Sequence, residues 1–251
     1  MIIKQKINIL KRHLRSKSEV RASWNHLQPI NLENTDKSSE KILIATSTGS
    51  NWPCSSFDSM IAIALKLRGA DVSFLLCDGI LPACQECDSQ WISPKDMIES
   101  NIKSVCKDCF HPAEMMLKPL EIKIYKYSDF ITKEKIAELV SIKKTENDEH
   151  ARAGTMRYFG VGSLNNNTHA EVYQQFLTAS EITKEVISNY IKEIKPTSAI
   201  IHHGIYIPQG IIASELSKNK INICVWGPSY RQGTVLFSRH ETYHHSMINE
   251  K

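Results

Sequence analysis

A doubly wound α/β fold, with a largely parallel sheet between layers of helix, follows from three features of the chain. Strand, amphipathic helix and strand succeed one another twice, over residues 41–77 and again over residues 198–226. A hydrophobic content of 41% over 251 residues supports a proper core, in one large domain or two small ones. Between the two units, a cysteine-rich stretch without clear periodicity begins directly after a strand, which marks it as an excursion from the sheet.

Residues 1–21 carry Lys4, Lys6, Lys11, Arg12, Arg15, Lys17 and Arg21 against the single acid Glu19. Ile3, Ile7, Leu10 and Leu14 recur there at helical spacing, so a basic amphipathic helix is expected. Such a helix can rest peripherally on an anionic membrane face or pack, solvated, on its own domain. Residues 31–40 are polar and aperiodic and read as a linker. The expected organisation is a basic helix and linker over 1–40, then one α/β domain over 41–251 with an insertion at about 80–119.

The run KILIAT (residues 41–46) is a buried strand that feeds Ser47-Thr48-Gly49-Ser50. Phe57, Met60, Ile61, Ala64 and Leu65 make a helix that stops at Gly69, and residues 71–77 form the next strand. EIKIYKY (121–127) alternates as a strand does, and residues 132–144 read as a helix capped by Thr132. Thr168 and Glu171 fit a capping box ahead of a long helix marked by Val172, Phe176, Ala179, Ile182, Val186, Tyr190 and Ile194. SAIIH (198–202), a helix opened by Pro208 and INICVW (221–226) complete the second unit.

Cys84, Cys87, Cys106 and Cys109 form two C-x2-C pairs separated by eighteen residues. Each pair can aim two sulfurs at one point, and the gap suits a structural zinc site. Disulfides or unrelated thiols are the alternatives, and iron at the same sulfurs would make a redox centre instead. Seven cysteines, an odd number with four at metal spacing, point to the cytoplasm. No apolar run reaches membrane-span length and no signal peptide is apparent. A net charge of +4 argues against a dedicated nucleic-acid binder.

In a doubly wound sheet, ligands bind beyond the carboxyl ends of the strands. Three loops meet that condition. Thr48, Gly49 and Ser50 offer hydroxyls and close backbone approach, without matching a phosphate-binding glycine motif. His202-His203-Gly204 follows a strand, and His203, nearer the loop, is the better general base; a buried histidine satisfied by backbone is the competing reading. Trp226 to Gly233 gathers aromatic rings with Tyr230 and Arg231, which suits a sugar face or a phosphate. Asp58, Asp78 and Glu241 are the further candidate bases. His240, His244 and His245 lack an established metal spacing, so packing or a ligand cleft is expected there.

LRGADVSFLLCDGILPACQEC (67–87), HARAGTMRYFG (150–160), HHGIYIPQG (202–210) and VWGPSYRQGTVLFSRHETYHHS (225–246) together resemble a bacterial glycosyltransferase of capsule or surface-polysaccharide biosynthesis. The resemblance runs from about residue 41 onward. It implies the GT-B arrangement, two Rossmann-like domains facing a cleft, with this chain as the N-terminal, acceptor-side one. It further implies a nucleotide-sugar donor, a glycan or lipid-linked acceptor, a base matching His203 or Asp58, and a C-terminal donor domain or subunit to complete the cleft. Thr48, Gly49, Ser50, Gly204, Tyr230 and Arg231 would position the substrates. On this reading the chain is a fragment or one subunit of a split enzyme. The alternative is a non-enzymatic zinc module that binds nucleic acid or protein, supported by the quartet but not by the modest charge.

Overall fold

A computed structural model describes residues 39–99, 102–141, 148–165 and 167–240, with Ile7, Lys11 and Leu14 as isolated helical positions. The remainder of the expected basic helix, most of the linker and residues 241–251 lie outside the described residues.

Residues Lys41–Ser47 (β1), Trp52–Lys66 (α1) and Asp71–Leu76 (β2) form the first strand-helix-strand unit. Pro94–Ile98 (α2) and Lys103–Leu117 (α3) follow, then Lys123–Lys126 (β3), Lys133–Ser141 (α4), Glu149–Phe159 (α5) and Ala170–Ile194 (α6). Ser198–His202 (β4), Gln209–Lys218 (α7) and Asn222–Pro228 (β5) make the second unit, and Val235–Arg239 (β6) returns beside it. The strands lie in one sheet in the order β3-β2-β1-β4-β5-β6. β1 to β5 pair in parallel and β6 pairs antiparallel with β5. The architecture is therefore the expected α/β one, with a mostly parallel six-stranded sheet.

Alternation along the strands supplies two cores. Leu43, Ala45, Leu75, Ala199, Ile201, Ile223 and Val225 face one cluster, with Val172, Phe176, Ile182, Val186 and Tyr190 of α6 and Ile212 and Leu216 of α7. Ile44, Val72, Phe74 and Leu76 face the other, with Ala62 of α1 and Ala113, Met116 and Leu117 of α3. Coverage on both faces explains why the strands read as continuous apolar runs. Each large side chain sealed in this way, such as Phe74 or Phe176, contributes about 1.5–3 kcal/mol.

Local signals set most element ends. Asn51 caps α1 by accepting from the Cys54 N–H, and Thr132 caps α4 by accepting from the Lys135 N–H at 3.2 Å. Asp148 accepts from His150 and Ala151 to open α5, and Gly160 at φ +67° closes it. The capping box expected at Thr168 does not form. α6 starts one residue later behind His169, whose Nδ1 accepts from Asn165 N–H and whose ring stacks on Phe159.

The cysteine-rich stretch also differs from expectation, since it is helical in large part. Val105, Cys109, Ala113, Met116 and Leu117 are buried on α3 at helical spacing. A cysteine counted as a small apolar residue restores the period, which Pro112 inside the helix also obscures. β6 was not foreseen, and neither was α5, whose buried residues Ala151, Gly154, Thr155 and Tyr158 are small or polar.

Candidate functional site

The strand order reverses direction at β1, which pairs with β2 on one side and β4 on the other. In doubly wound sheets the ligand crevice forms at such a point, where the two following connections leave on opposite faces, and here Thr48, Gln85, His203 and Gln209 gather there as buried residues. β1 is irregular between Ile44 and Ser47, and Ser47 has φ +55°, so the chain turns sharply into Thr48. β4 ends equally sharply: His203 stands at φ +44° and Gly204 at φ +66°. The turn is held by His203 N–H to the Trp226 carbonyl at 2.7 Å and Gly204 N–H to the His202 carbonyl at 2.6 Å.

These two strand ends are joined by buried amides. The Ile205 N–H donates to His203 Nδ1 at 3.0 Å, which leaves the ring hydrogen on Nε2. Nε2 then donates to Gln85 Oε1 at 2.6 Å, and Gln85 Nε2 donates to Thr48 Oγ1 at 2.5 Å. Gln209, at the start of α7, donates to Thr48 Oγ1 and to the Thr46 carbonyl, both at 3.2 Å. Its other amide atom, Oε1, is buried without a hydrogen-bond partner among the described residues. An orphaned acceptor of this kind costs about 1–3 kcal/mol, which a donor from a bound molecule would offset.

Asp58 approaches from α1. Its Oδ2 accepts from Thr46 Oγ1 at 2.9 Å and its Oδ1 from Trp226 Nε1 at 2.8 Å. Burial raises its pKa from 3.8 to about 7, the two hydrogen bonds pulling the other way. The His202 Nε2 lies 3.4 Å from Cys54 Sγ and its ring lies 4.5 Å from that of Trp226. Desolvation lowers His202 to about 4. Burial, aided by the charges of Asp58 and Glu86, raises Cys54 to about 12. Thiol and imidazole are therefore both neutral, and the pair is not an activated nucleophile.

Of the residues singled out from sequence, Thr48, Asp58, His203 and Gly204 converge on this crevice. Gly49 and Ser50 turn toward the cysteine wall instead. A Cβ on Gly49 would stand 2.1 Å from Ala113 Cβ and 2.8 Å from the Cys109 carbonyl, so its role is close packing of α3. Ser50 Oγ hydrogen-bonds Glu86. Tyr230 is 97% exposed and Arg231 exposed beside it, in the turn between β5 and β6. Asp78 accepts from the Ser128 hydroxyl and backbone, and Glu241 lies outside the described residues. Gln85 and Gln209 were not anticipated, because an amide has no spacing signature. Arg157, which donates to the Gln85 and Cys87 carbonyls and lies over the Tyr206 ring, sits within one of the quoted motifs.

Cys84, Cys87, Cys106 and Cys109 line one small cavity together with Cys77. All seven cysteines are free thiols. Among the described residues, no group of three or more His, Cys, Asp or Glu side chains is placed so that it could hold a metal ion. No described helix is long and apolar enough to cross a membrane. No protein-family model, curated protein or solved structure matches the chain.

Proposed function

We propose that this domain binds the hydroxyl-rich acceptor in a sugar-transfer reaction of surface-polysaccharide assembly, as the acceptor-side half of a GT-B-type glycosyltransferase. The observation that carries the reading is the orphaned Gln209 Oε1, buried beside Thr48 at the point where the sheet reverses. A sugar hydroxyl is a neutral donor that satisfies such an acceptor, and the surrounding amides and imidazoles are suited to an uncharged ligand. The four separated segments that resemble these transferases favour the same class.

In the reaction, an acceptor oxygen attacks the anomeric carbon of a nucleotide sugar. The bond to the departing nucleoside diphosphate breaks, and the hydroxyl proton passes to a base. His203 is the proposed base, through Nδ1 once the Ile205 N–H releases it. Asp58 stands behind Thr46 and Trp226 and supports the floor. The donor is held mainly by a second α/β domain or subunit, whose closure excludes water.

The test has two arms. Neutral oligosaccharides and nucleotide sugars are titrated into the purified chain. The chain is then combined with a candidate α/β donor-binding domain or subunit and assayed for nucleoside diphosphate release. Oligosaccharide binding that weakens about tenfold in Gln209→Ala, as loss of one hydrogen bond of about 1.4 kcal/mol requires, supports the proposal. Absence of oligosaccharide binding together with absence of transfer from every nucleotide sugar refutes it.

A further inference from the structure

We propose that Cys84, Cys87, Cys106 and Cys109 hold one zinc ion as a tetrathiolate, which locks the turn after β2 and helix α3 against the loop between β1 and α1. The site borders the hydroxyl-binding crevice, with Thr48 lining both, and its existence does not depend on the sugar-transfer reading.

The geometry starts from two elements. Cys84 and Cys87 lie in one tight turn, in which the Cys87 N–H donates to the Cys84 carbonyl at 2.9 Å. Cys106 and Cys109 are three residues apart on α3 and so share a helix face. All four border a single cavity whose other lining residues include the apolar Leu81, Ile92, Ile102 and Val105 and the polar Thr48 and Glu86. Its free volume of about 20 Å³ is little more than one water-sized sphere occupies. That space suits a single ion. The four sulfurs do not stand as a ready metal-holding group among the described residues, so metal binding requires them to turn toward the cavity they border.

Backbone donors surround the sulfurs as well. The Gly49 N–H donates to Cys109 Sγ at 3.2 Å and the Cys84 N–H to Cys87 Sγ at 3.4 Å. Sulfur is a weak acceptor as a thiol and a good one as a thiolate, so N–H groups aimed at four-sulfur sites stabilise the metal-bound form. Gly79 carries no side chain where a Cβ would stand 3.0 Å from Cys106 Cβ, which keeps that residue close. On binding, four thiols release four protons to solvent and leave a Zn(SR)₄ centre of charge −2, which those N–H dipoles offset.

Cys77 faces the same cavity, but its sulfur is held by the Gly79 and Leu81 N–H groups and belongs to neither C-x2-C pair. It is the internal control. The full chain, expressed with zinc, is analysed for bound metal by elemental analysis and by X-ray absorption at the zinc edge. One zinc per chain with four sulfurs at about 2.3 Å is expected. Cys84→Ser and Cys106→Ser should each lose stoichiometric zinc, while Cys77→Ser should retain it. Titration of the unmodified chain with cobalt(II), read as tetrahedral thiolate absorption, needs no variant and stays informative if a variant fails to fold. Folded chain with no bound metal and no cobalt spectrum overturns the proposal, as does iron in place of zinc. Zinc lost from Cys77→Ser but kept in Cys106→Ser overturns the ligand set.

Discussion

Asp58 and His202 contact one indole, and their linked titration makes a sharp test of how the crevice is buried. Trp226 donates to Asp58 at 2.8 Å and packs 4.5 Å, centroid to centroid, from the His202 ring. Burial raises Asp58 from 3.8 to about 7 and lowers His202 from 6.5 to about 4. Between pH 4 and 6.5 both groups are thus neutral in the fold, whereas the unfolded chain carries an aspartate anion and an imidazolium. For Asp58 the fold binds the extra proton, so its contribution is complete below pH 3.8 and is lost as pH rises through about 7. At about 1.4 kcal/mol per pH unit, that loss amounts to about 4 kcal/mol. For His202 the unfolded chain binds the extra proton, so its contribution is complete above pH 6.5 and is lost as pH falls through about 4. The corresponding loss is about 3 kcal/mol. The two slopes cancel across the shared window, and the pair contributes no net pH dependence there.

Removing one member exposes the other. Asp58→Asn preserves the shape and an acceptor for Trp226, and should make stability rise with pH relative to the parent by about 1.4 kcal/mol per unit between pH 4 and 6.5. His202→Gln should do the reverse over the same window. Urea unfolding followed by circular dichroism at pH 4.5, 5.5 and 6.5, with each variant subtracted from the parent, cancels every unrelated group. Differences that are flat with pH, or that carry the same sign in both variants, would refute the opposed burial of these two residues.

Gly49→Ala places a methyl against Ala113 and the Cys109 carbonyl and should destabilise the fold by about 1–3 kcal/mol, measured by thermal unfolding. Gln85→Leu removes the acceptor at His203 Nε2 and one of the two amide donors to Thr48 Oγ1, and should cost about 2–4 kcal/mol in urea; a loss under half a kcal/mol would mean that the network is not a packed unit. Chelation should speed amide exchange over residues 80–119 while β1, β4 and β5 stay protected; simultaneous exchange of the whole sheet would show that the metal holds the entire fold. Titration with DNA or RNA at low salt should show no saturable, salt-dependent binding, and a steep salt slope would restore the zinc-module reading.

The strands were legible because burial on both faces leaves uninterrupted runs such as residues 41–46, and α6 because a 25-residue helix repeats its period many times. Helix α5 was hidden because Gly154 packs on the Phe176 ring where a larger, recognisable residue would not fit. β6 was hidden because a five-residue edge strand carries no signal beyond its turn. Three of the site's positions, Thr48, His203 and Gly204, could be placed because a strand end is a local feature. Their partner Gln85 could not, since it meets His203 across 118 residues of chain. Gly49 shows the opposite error: a glycine at a strand end reads as room for a ligand, and here the room is taken by α3.

Gln85 also explains why the cysteine turn belongs with the crevice. Its backbone N–H donates to the Ile207 carbonyl at 2.8 Å, and its carbonyl accepts from Arg157. Its side-chain oxygen accepts from His203 and its side-chain nitrogen donates to Thr48. Every polar group of the residue is thus committed to the ends of β1 and β4 or to the helices behind them. Because it sits between Cys84 and Cys87, the turn that presents those two sulfurs cannot shift without moving the amide that orients His203. A thiol site and a hydrogen-bonding site separated by one residue of chain are mechanically one object. Rigidity imposed at the sulfurs is therefore rigidity delivered to the His203 imidazole and to Thr48, whose positions the same amide fixes.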